Sequence, residues 1–314
     1  MIETRGLTKR FGDVLAVDNL SLDVAEGEVF GLLGPNGAGK TTTVRMLTCL
    51  IAPTDGEAWV NGHKVGEEDT AIRRCVGILT ESPGLYERLN AQQNLALYAK
   101  LYGVDDVAGQ VEKYLRMLGL WERRIEPVGG FSKGMKQKLA IARALIHEPK
   151  VVFLDEPTAS LDPEAARLVR DFIVEVKGEG RTIFLCTHNL DEADRLCDRI
   201  AVMRQHLIQM DTPARLRQSL YGRKVVVQLQ EISSAVLAAV RELPFVHQVQ
   251  QEDRRLIVRL DDPEAQNPIL VRRVVEAGGA VQFVTEQHHS LEEVYFTLIN
   301  EERAADSRTQ EAVQ

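Results

Sequence analysis

The stretch Gly34-Pro35-Asn36-Gly37-Ala38-Gly39-Lys40-Thr41-Thr42 fits the pattern G-x-x-x-x-G-K-[ST], whose chemistry is the grip of a nucleoside triphosphate. Its glycines let the backbone turn tightly, so that successive N–H groups point inward at an anion. Lys40 reaches the β- and γ-phosphates, and the Thr41 hydroxyl is a ligand for Mg²⁺. A Gly-rich turn that binds nothing is the competing reading, and the flanks argue against it. Residues 29–33 read as a buried strand and residues 41–50 as the helix that follows, whose N-terminal dipole adds to phosphate affinity. Further along, the apolar run 151–154 delivers two adjacent carboxylates, Asp155 and Glu156. Neighbouring residues at a strand end diverge, so Asp155 is expected to hold Mg²⁺ while Glu156 faces the γ-phosphate side and polarises the attacking water. A third apolar run ends in Thr187-His188. Open parallel sheets bind ligands outside the carboxyl ends of their strands, so three such endings predict one phosphate-handling edge.

The elements that must position these residues are legible in outline. Residues 1–33 alternate as strands, with Leu20, Leu22 and Val24 on one face. Residues 51–80 read as short strands around the turn dipeptides Asp55-Gly56 and Asn61-Gly62. From 90 to 120 the period becomes helical, with Leu95, Tyr98, Ala99 and Tyr102 on one face and Val111, Tyr114, Leu115 and Leu118 on the next. A third helix starts after Ser132 and ends near Pro149. Strands at 151–154 and 182–186 enclose a helix over 163–177, a βαβ unit expected to be right-handed. Past about residue 220, the segments 225–229, 233–243, 246–251, 256–260, 268–277 and 281–285 read as β-α-β-β-α-β, a split βαβ order. The tail 301–314 is polar and expected to fray.

With 314 residues, 44% of them apolar, the chain has room for one large domain and a smaller one. A net charge of −8 argues against a nucleic-acid partner. The four cysteines, Cys49, Cys75, Cys186 and Cys197, show no C-x-x-C pair and read as small core residues of a chain kept in a reducing compartment. No apolar leader opens the sequence, and nowhere do 18 uncharged apolar residues run together, so the chain is not expected to cross a membrane by itself.

Between the phosphate loop and the carboxylate strand lies Phe131-Ser132-Lys133-Gly134-Met135-Lys136-Gln137. In that order and spacing the sequence, over about residues 1–215, resembles the ATP-binding cassette (ABC) family, whose signature is usually Leu-Ser-Gly-Gly-Gln. The resemblance implies an α/β fold: a P-loop NTPase core with an antiparallel β subdomain and a helical subdomain, plus a small α+β C-terminal domain. The expected division is a nucleotide-binding domain over 1–219, with its helical subdomain at about 82–148, an accessory domain over 220–300, and the tail. The resemblance also implies roles. Ser132 and Gly134 face the nucleotide of the opposite subunit, and Asp162 in Ala159-Ser160-Leu161-Asp162 touches that subunit. His188 contacts the γ-phosphate, and Phe11 stacks on adenine, where Tyr is commoner. Gly34 to Thr42 bind ATP; Thr41, Asp155 and Glu81 serve Mg²⁺, with Glu81 standing where the family usually has Gln; and Glu156, His188 and Lys40 carry hydrolysis.

Family members form head-to-tail dimers that sandwich two ATP molecules. The resemblance therefore implies a homodimeric ATP hydrolase whose helical subdomain passes motion to a separate membrane-spanning permease, at the cytoplasmic face of the cell membrane. Ser-Lys-Gly-Met, the loop around Glu81 and the ending Ser290-Leu291-Glu292-Glu293-Val294-Tyr295 resemble the drug- and antibiotic-export branch. Two other readings stay open at this point. A soluble ATPase of the same fold could work on ribosomes or DNA, although only one phosphate loop is present and no coiled coil interrupts the cassette. An importer ATPase could carry a regulator-sensing C-terminal domain, although β-α-β-β-α-β is unlike the barrel common there.

Overall fold

Apolar runs without alternation belong in strands buried on both faces, and here they pair in parallel. The computed structural model describes residues 1–80, 84–159, 161–287 and 289–313. Its central sheet has the order His206–Asp211, Arg199–Arg204, Val29–Leu33, Thr182–Thr187, Val151–Asp155, Val76–Leu79. All neighbours are parallel except the antiparallel hairpin at the first edge. The register sets up the chemistry: Leu33 lies beside Thr187, and Asp155 beside Cys186. The residues after three adjacent strands thus emerge level with one another on one edge.

Val14–Val24, Ile2–Phe11, Asp55–Val60 and His63–Lys64 form a second, antiparallel sheet. Its alternating inward residues Leu7, Val17, Leu20 and Leu22 join Phe30, Phe153 and Phe184 of the central sheet in one core, and Phe184 packs at 5.4 Å from both of the other two rings. Asp55-Gly56, expected as a turn, instead opens a strand. Gly56 adopts φ +78°, and a Cβ there would overlap the Gly6 carbonyl, so its glycine serves close backbone approach at a register shift. Asn61-Gly62 does form the turn, at φ +52° and +80°.

The helices after Asn90, Ser132 and Asp162 start on identifiable side-chain caps, whereas Lys40–Leu47, which carries Lys40, Thr41 and Thr42, starts from the left-handed Gly39 with none. Ala91–Leu101 has a capping box between Asn90 and Gln93. Ser132 caps Lys133–Leu145, and Asp162 caps Pro163–Gly178 with Pro163 in the first turn. The helix after the phosphate loop runs Lys40–Leu47, shorter than expected, because Cys49 turns to φ +58°.

The chain divides into two units, Met1–Pro213 with Leu298–Gln314, and Ala214–Thr297. The sequence reading placed the change at residue 220 and assigned everything beyond it to an accessory domain and a frayed tail. The tail backbone instead continues the helix Leu291–Val313, and in the first unit Glu302 Oε1 meets His206 Nε2 at 2.8 Å. The second unit is a four-stranded antiparallel sheet in the order Gln248–Glu252, Arg255–Leu260, Arg223–Leu229, Val281–Glu286, with helices Ser234–Arg241 and Pro263–Glu276 supplying its core residues Val236, Val240, Leu270 and Val274. The second of these helices begins five residues before the expected start at Pro268, because Asp262 caps it and Pro263 fits its first turn. Among the described residues no helix is long and apolar enough to cross a membrane.

Candidate active site

A cavity of about 590 Å³ opens at the level strand ends. Asn36 to Thr42 wrap one side; Asp155, Glu156, Ala159 and His188 close the other; Phe11, Val14, Leu15 and Ala16 form an apolar wall, with Gln205 at the rim. A larger surface concavity, about 750 Å³, lies in the second unit around Gln230, Asp253 and Arg254, but it has no loop built for phosphate.

The phosphate loop is held by close packing. A Cβ on Gly34 would overlap the Met203 carbonyl, and one on Gly39, at φ +96°, would overlap the Ala16 carbonyl, so neither position accepts another residue. Gly34 and Pro35 do not line the cavity; their carbonyls accept hydrogen bonds from Lys40 Nζ at 2.7 and 3.2 Å. Lys40 is 7% exposed, and its ammonium is anchored beside the loop amides, where a phosphate would take it over. Gln205 was not legible as a site residue. Its N–H donates to Ala38 O at 2.9 Å, and its carbonyl accepts from Asp18 N at 2.8 Å, so a hairpin turn braces the loop from outside. No local pattern marks such a turn in the sequence.

The two adjacent carboxylates diverge as expected. Asp155 Oδ2 accepts from Thr41 Oγ1 at 2.8 Å, which brings together two of the three oxygen ligands expected for Mg²⁺. Mg²⁺ is held by one or two protein oxygens with water and phosphate completing its shell, and this pair fits that pattern. Glu81 lies outside the described residues. Glu156 turns the other way: its φ is +52°, its N–H donates to Cys186 O at 2.9 Å, and Oε1 lies 2.7 Å from His188 Nδ1. A left-handed non-glycine residue at the end of a buried strand is the kind of strain that accumulates at functional sites. Cys186 beneath it is fully buried, and burial raises its thiol well above the usual range, so it stays neutral.

Phe11 is half-exposed at the apolar wall, placed to present a ring face to a base, and Lys9 Nζ sits 5.1 Å from its centroid. Ser132, Gly134 and Asp162 are not part of this cavity's lining. The Ser132 hydroxyl accepts from Met135 N–H at 3.2 Å, Gly134 packs near Leu161 and Ala165, and Asp162 Oδ1 accepts from Ala165 N–H at 2.8 Å. These three form a second cluster, tied to the carboxylate strand by Gln137 Nε2, which donates to Pro157 O at 3.1 Å.

Glu192 was missed by the sequence reading. It is 1% exposed, Thr187 Oγ1 donates to its Oε2 at 3.1 Å, and burial raises its carboxyl above the usual carboxylate range, with Glu156 contributing in the same direction.

Comparison with known proteins agrees with this geometry. The ABC transporter family model matches residues 17–159. The chain is 38% identical to the daunorubicin resistance ATP-binding protein DrrA3 of Streptomyces coeruleorubidus, over 96% of each chain. It is 35% identical to the bacitracin transport ATP-binding protein BcrA of Bacillus licheniformis, over 95% of this chain and 97% of that one. Among solved structures, it resembles an ATP-binding subunit of an ABC transporter at 31% identity and TM-score 0.66, over 71% of this chain and 94% of that one. It also resembles a dimeric, post-hydrolysis ATP-binding cassette bound to ADP and Pi, at 26% identity and TM-score 0.63, over 68% of this chain and 98% of that one.

Proposed function

The chain belongs to the ABC transporter family as an ATP-binding, ATP-hydrolysing subunit that works in export with a separate membrane partner, and on that premise we propose how its residues divide the work. The observation that carries the reading is the level ending of three parallel strands, which gathers the phosphate loop, Asp155, Glu156 and His188 around one cavity while Ser132 and Gly134 sit in a different cluster.

In this reading Asn36 to Thr42 cradle the triphosphate with their amides, and Lys40 exchanges its carbonyl partners for β- and γ-oxygens. Thr41 and Asp155 hold Mg²⁺, which when bound neutralises charge on the phosphates. Glu156 orients and deprotonates the attacking water, and His188, bonded to Glu156 through Nδ1, keeps its other ring nitrogen for the γ-phosphate. Phe11 stacks on the base. A second copy supplies Ser132 and Gly134 to the same phosphate from across the seam, with the Asp162 loop at the contact, so each homodimer holds two ATP molecules. A likeness to a dimeric cassette supports the pairing.

Hydrolysis then separates the halves, and the helical subdomain transmits the motion to a membrane-spanning permease. The chain would sit at the cytoplasmic face of the membrane, held there by that partner. Named relatives confer daunorubicin resistance or transport bacitracin, which supports an amphiphilic drug-like or antibiotic cargo. The test is to solubilise native membranes mildly, recover this protein and identify what accompanies it. A multi-span protein whose presence stimulates ATP hydrolysis is the expected result; recovery with ribosomes or DNA instead would overturn the transport reading.

A further inference from the structure

We propose that Glu192 is a positioning residue for ATP hydrolysis, its buried carboxyl group fastening the strand end that presents His188 to the turn that follows Glu156. The inference rests on the assignment of Glu156 and His188 given above. Thr187, the last residue of its strand, is fully buried. Its hydroxyl donates to Glu192 Oε2 at 3.1 Å and accepts from Asn189 N–H at 3.0 Å. Asn189 in turn caps the helix Leu190–Leu196 by accepting from Glu192 N–H at 3.1 Å. The connection from strand to helix is therefore closed at both ends by one residue, with His188 held between.

The other side of the carboxyl meets the turn after Glu156, where the Thr158 hydroxyl lies against it. Oε1 is buried and makes no geometrically good hydrogen bond in this state. Burying a carboxyl group is costly unless hydroxyls or amides meet its oxygens, which points to a role beyond packing. The charged groups facing it are Arg170, from the helix Pro163–Gly178, and Glu156; Asp191 and Arg195, on its own helix, line the shallow polar recess beside it. The carboxyl group lies between the Thr187 hydroxyl and the Thr158 hydroxyl, and burial raises its pKa in a place where Glu156 already carries a carboxyl group. His188 and Glu156 each follow the end of a separate strand, and their 2.7 Å contact depends on those strand ends keeping their relative height. Glu192 is the side chain that touches both connections.

The test is ATP turnover by the purified full-length protein, read as kcat and KM separately. Glu192→Ala is expected to lower kcat roughly ten- to hundredfold, the size of a lost buried hydrogen bond, with KM for ATP within about threefold, since the phosphate loop is untouched. Thr187→Val should reproduce the loss, which keeps the idea testable should the alanine variant fail to fold. Glu192→Gln, which keeps a donor and an acceptor in the same volume, should restore the rate to within about fivefold of wild type. A generic packing role would not separate kcat from KM, and Thr187→Val, which keeps the side-chain volume and removes only the hydroxyl, would then leave the rate unchanged. Folded Glu192→Ala or Thr187→Val turning over at the wild-type rate would overturn the inference, as would a Glu192→Gln variant as slow as the alanine one. Glu156→Gln is run alongside: if it also turns over normally, the assignment of the site has failed, whereas a dead Glu156→Gln beside fully active Glu192 and Thr187 variants refutes this inference alone.

Discussion

Replacing Glu156 by Gln removes one negative charge and almost nothing else. The amide has the volume of the carboxylate, its oxygen can still accept from His188 Nδ1–H, and the backbone N–H keeps its 2.9 Å bond to Cys186 O. The side chain is only 17% exposed, so bulk water is poorly placed to substitute as base. A positioned general base is worth about 10²–10⁴ in rate, or about 2.7–5.4 kcal/mol at 1.36 kcal/mol per decade. Nothing that holds the phosphates changes, since Lys40 is anchored by Gly34 and Pro35 and Thr41 by Asp155, so ATP affinity should stay within about threefold, or ~0.6 kcal/mol. The assay pairs single-turnover phosphate release with a fluorescent-nucleotide titration and light scattering in the presence of ATP. The expected outcome is a hundredfold or greater loss of hydrolysis, unchanged binding, and a persistent ATP-bound dimer. Hydrolysis within tenfold of wild type would refute the role of Glu156 as base, and a variant that binds ATP without ever dimerising would refute the shared-site argument.

Three further predictions probe the neighbouring parts. Lys40→Ala should weaken ATP binding roughly ten- to hundredfold through lost charge-assisted bonds, and an unchanged titration would contradict the phosphate-loop assignment. Phe11→Ala should weaken ATP by roughly five- to 150-fold, from about 1–3 kcal/mol of base stacking, yet leave tripolyphosphate affinity as it was, while Phe11→Tyr retains both; an equal loss for both ligands would mean the ring does not meet the base. The raised carboxyl of Glu192 makes stability depend on pH with a definite sign. Above the ordinary carboxylate range and up to its raised value, the folded state binds more protons than the unfolded one, so its contribution is complete at low pH and is lost as pH rises through that window. Glu192→Gln lacks this loss, so its Tm relative to wild type should rise as pH climbs through and above the ordinary carboxylate range, and a pH-independent difference would show that burial does not raise the carboxyl's pKa.

Much of the site was legible because phosphate binding is written in contiguous residues. The loop from Gly34 to Thr42 needs its glycines for backbone reasons that operate locally, and Gly39 at φ +96° beneath the Ala16 carbonyl shows why the pattern is so restrictive. The strands that end in Asp155 and Thr187 announced themselves by apolar content, and helices were expected after Ser132 and over 163–177, where the structure shows Ser132 and Asp162 to be their caps. Local signals misled where glycine or proline had a tertiary purpose: Gly56 read as a turn but serves close backbone approach, and Pro268 read as a helix start but sits inside a helix capped by Asp262. The polar tail carried no apolar face strong enough to predict the helical continuation of Leu291–Val313.

The sequence alone determined which atoms can hold a triphosphate and cleave it, since that chemistry depends on residue type over spans of a few positions. Tertiary structure alone decided that Leu33, Asp155 and Thr187 finish level with one another, that Gln205 braces the phosphate loop, that Ser132 and Gly134 lie outside the cavity of their own chain, and that Glu192 touches both catalytic connections. Strand order and register come from burying apolar faces contributed by segments far apart in the chain, as where Leu33 pairs with Thr187, and a pairing of that kind leaves no mark in the spacing of any one segment.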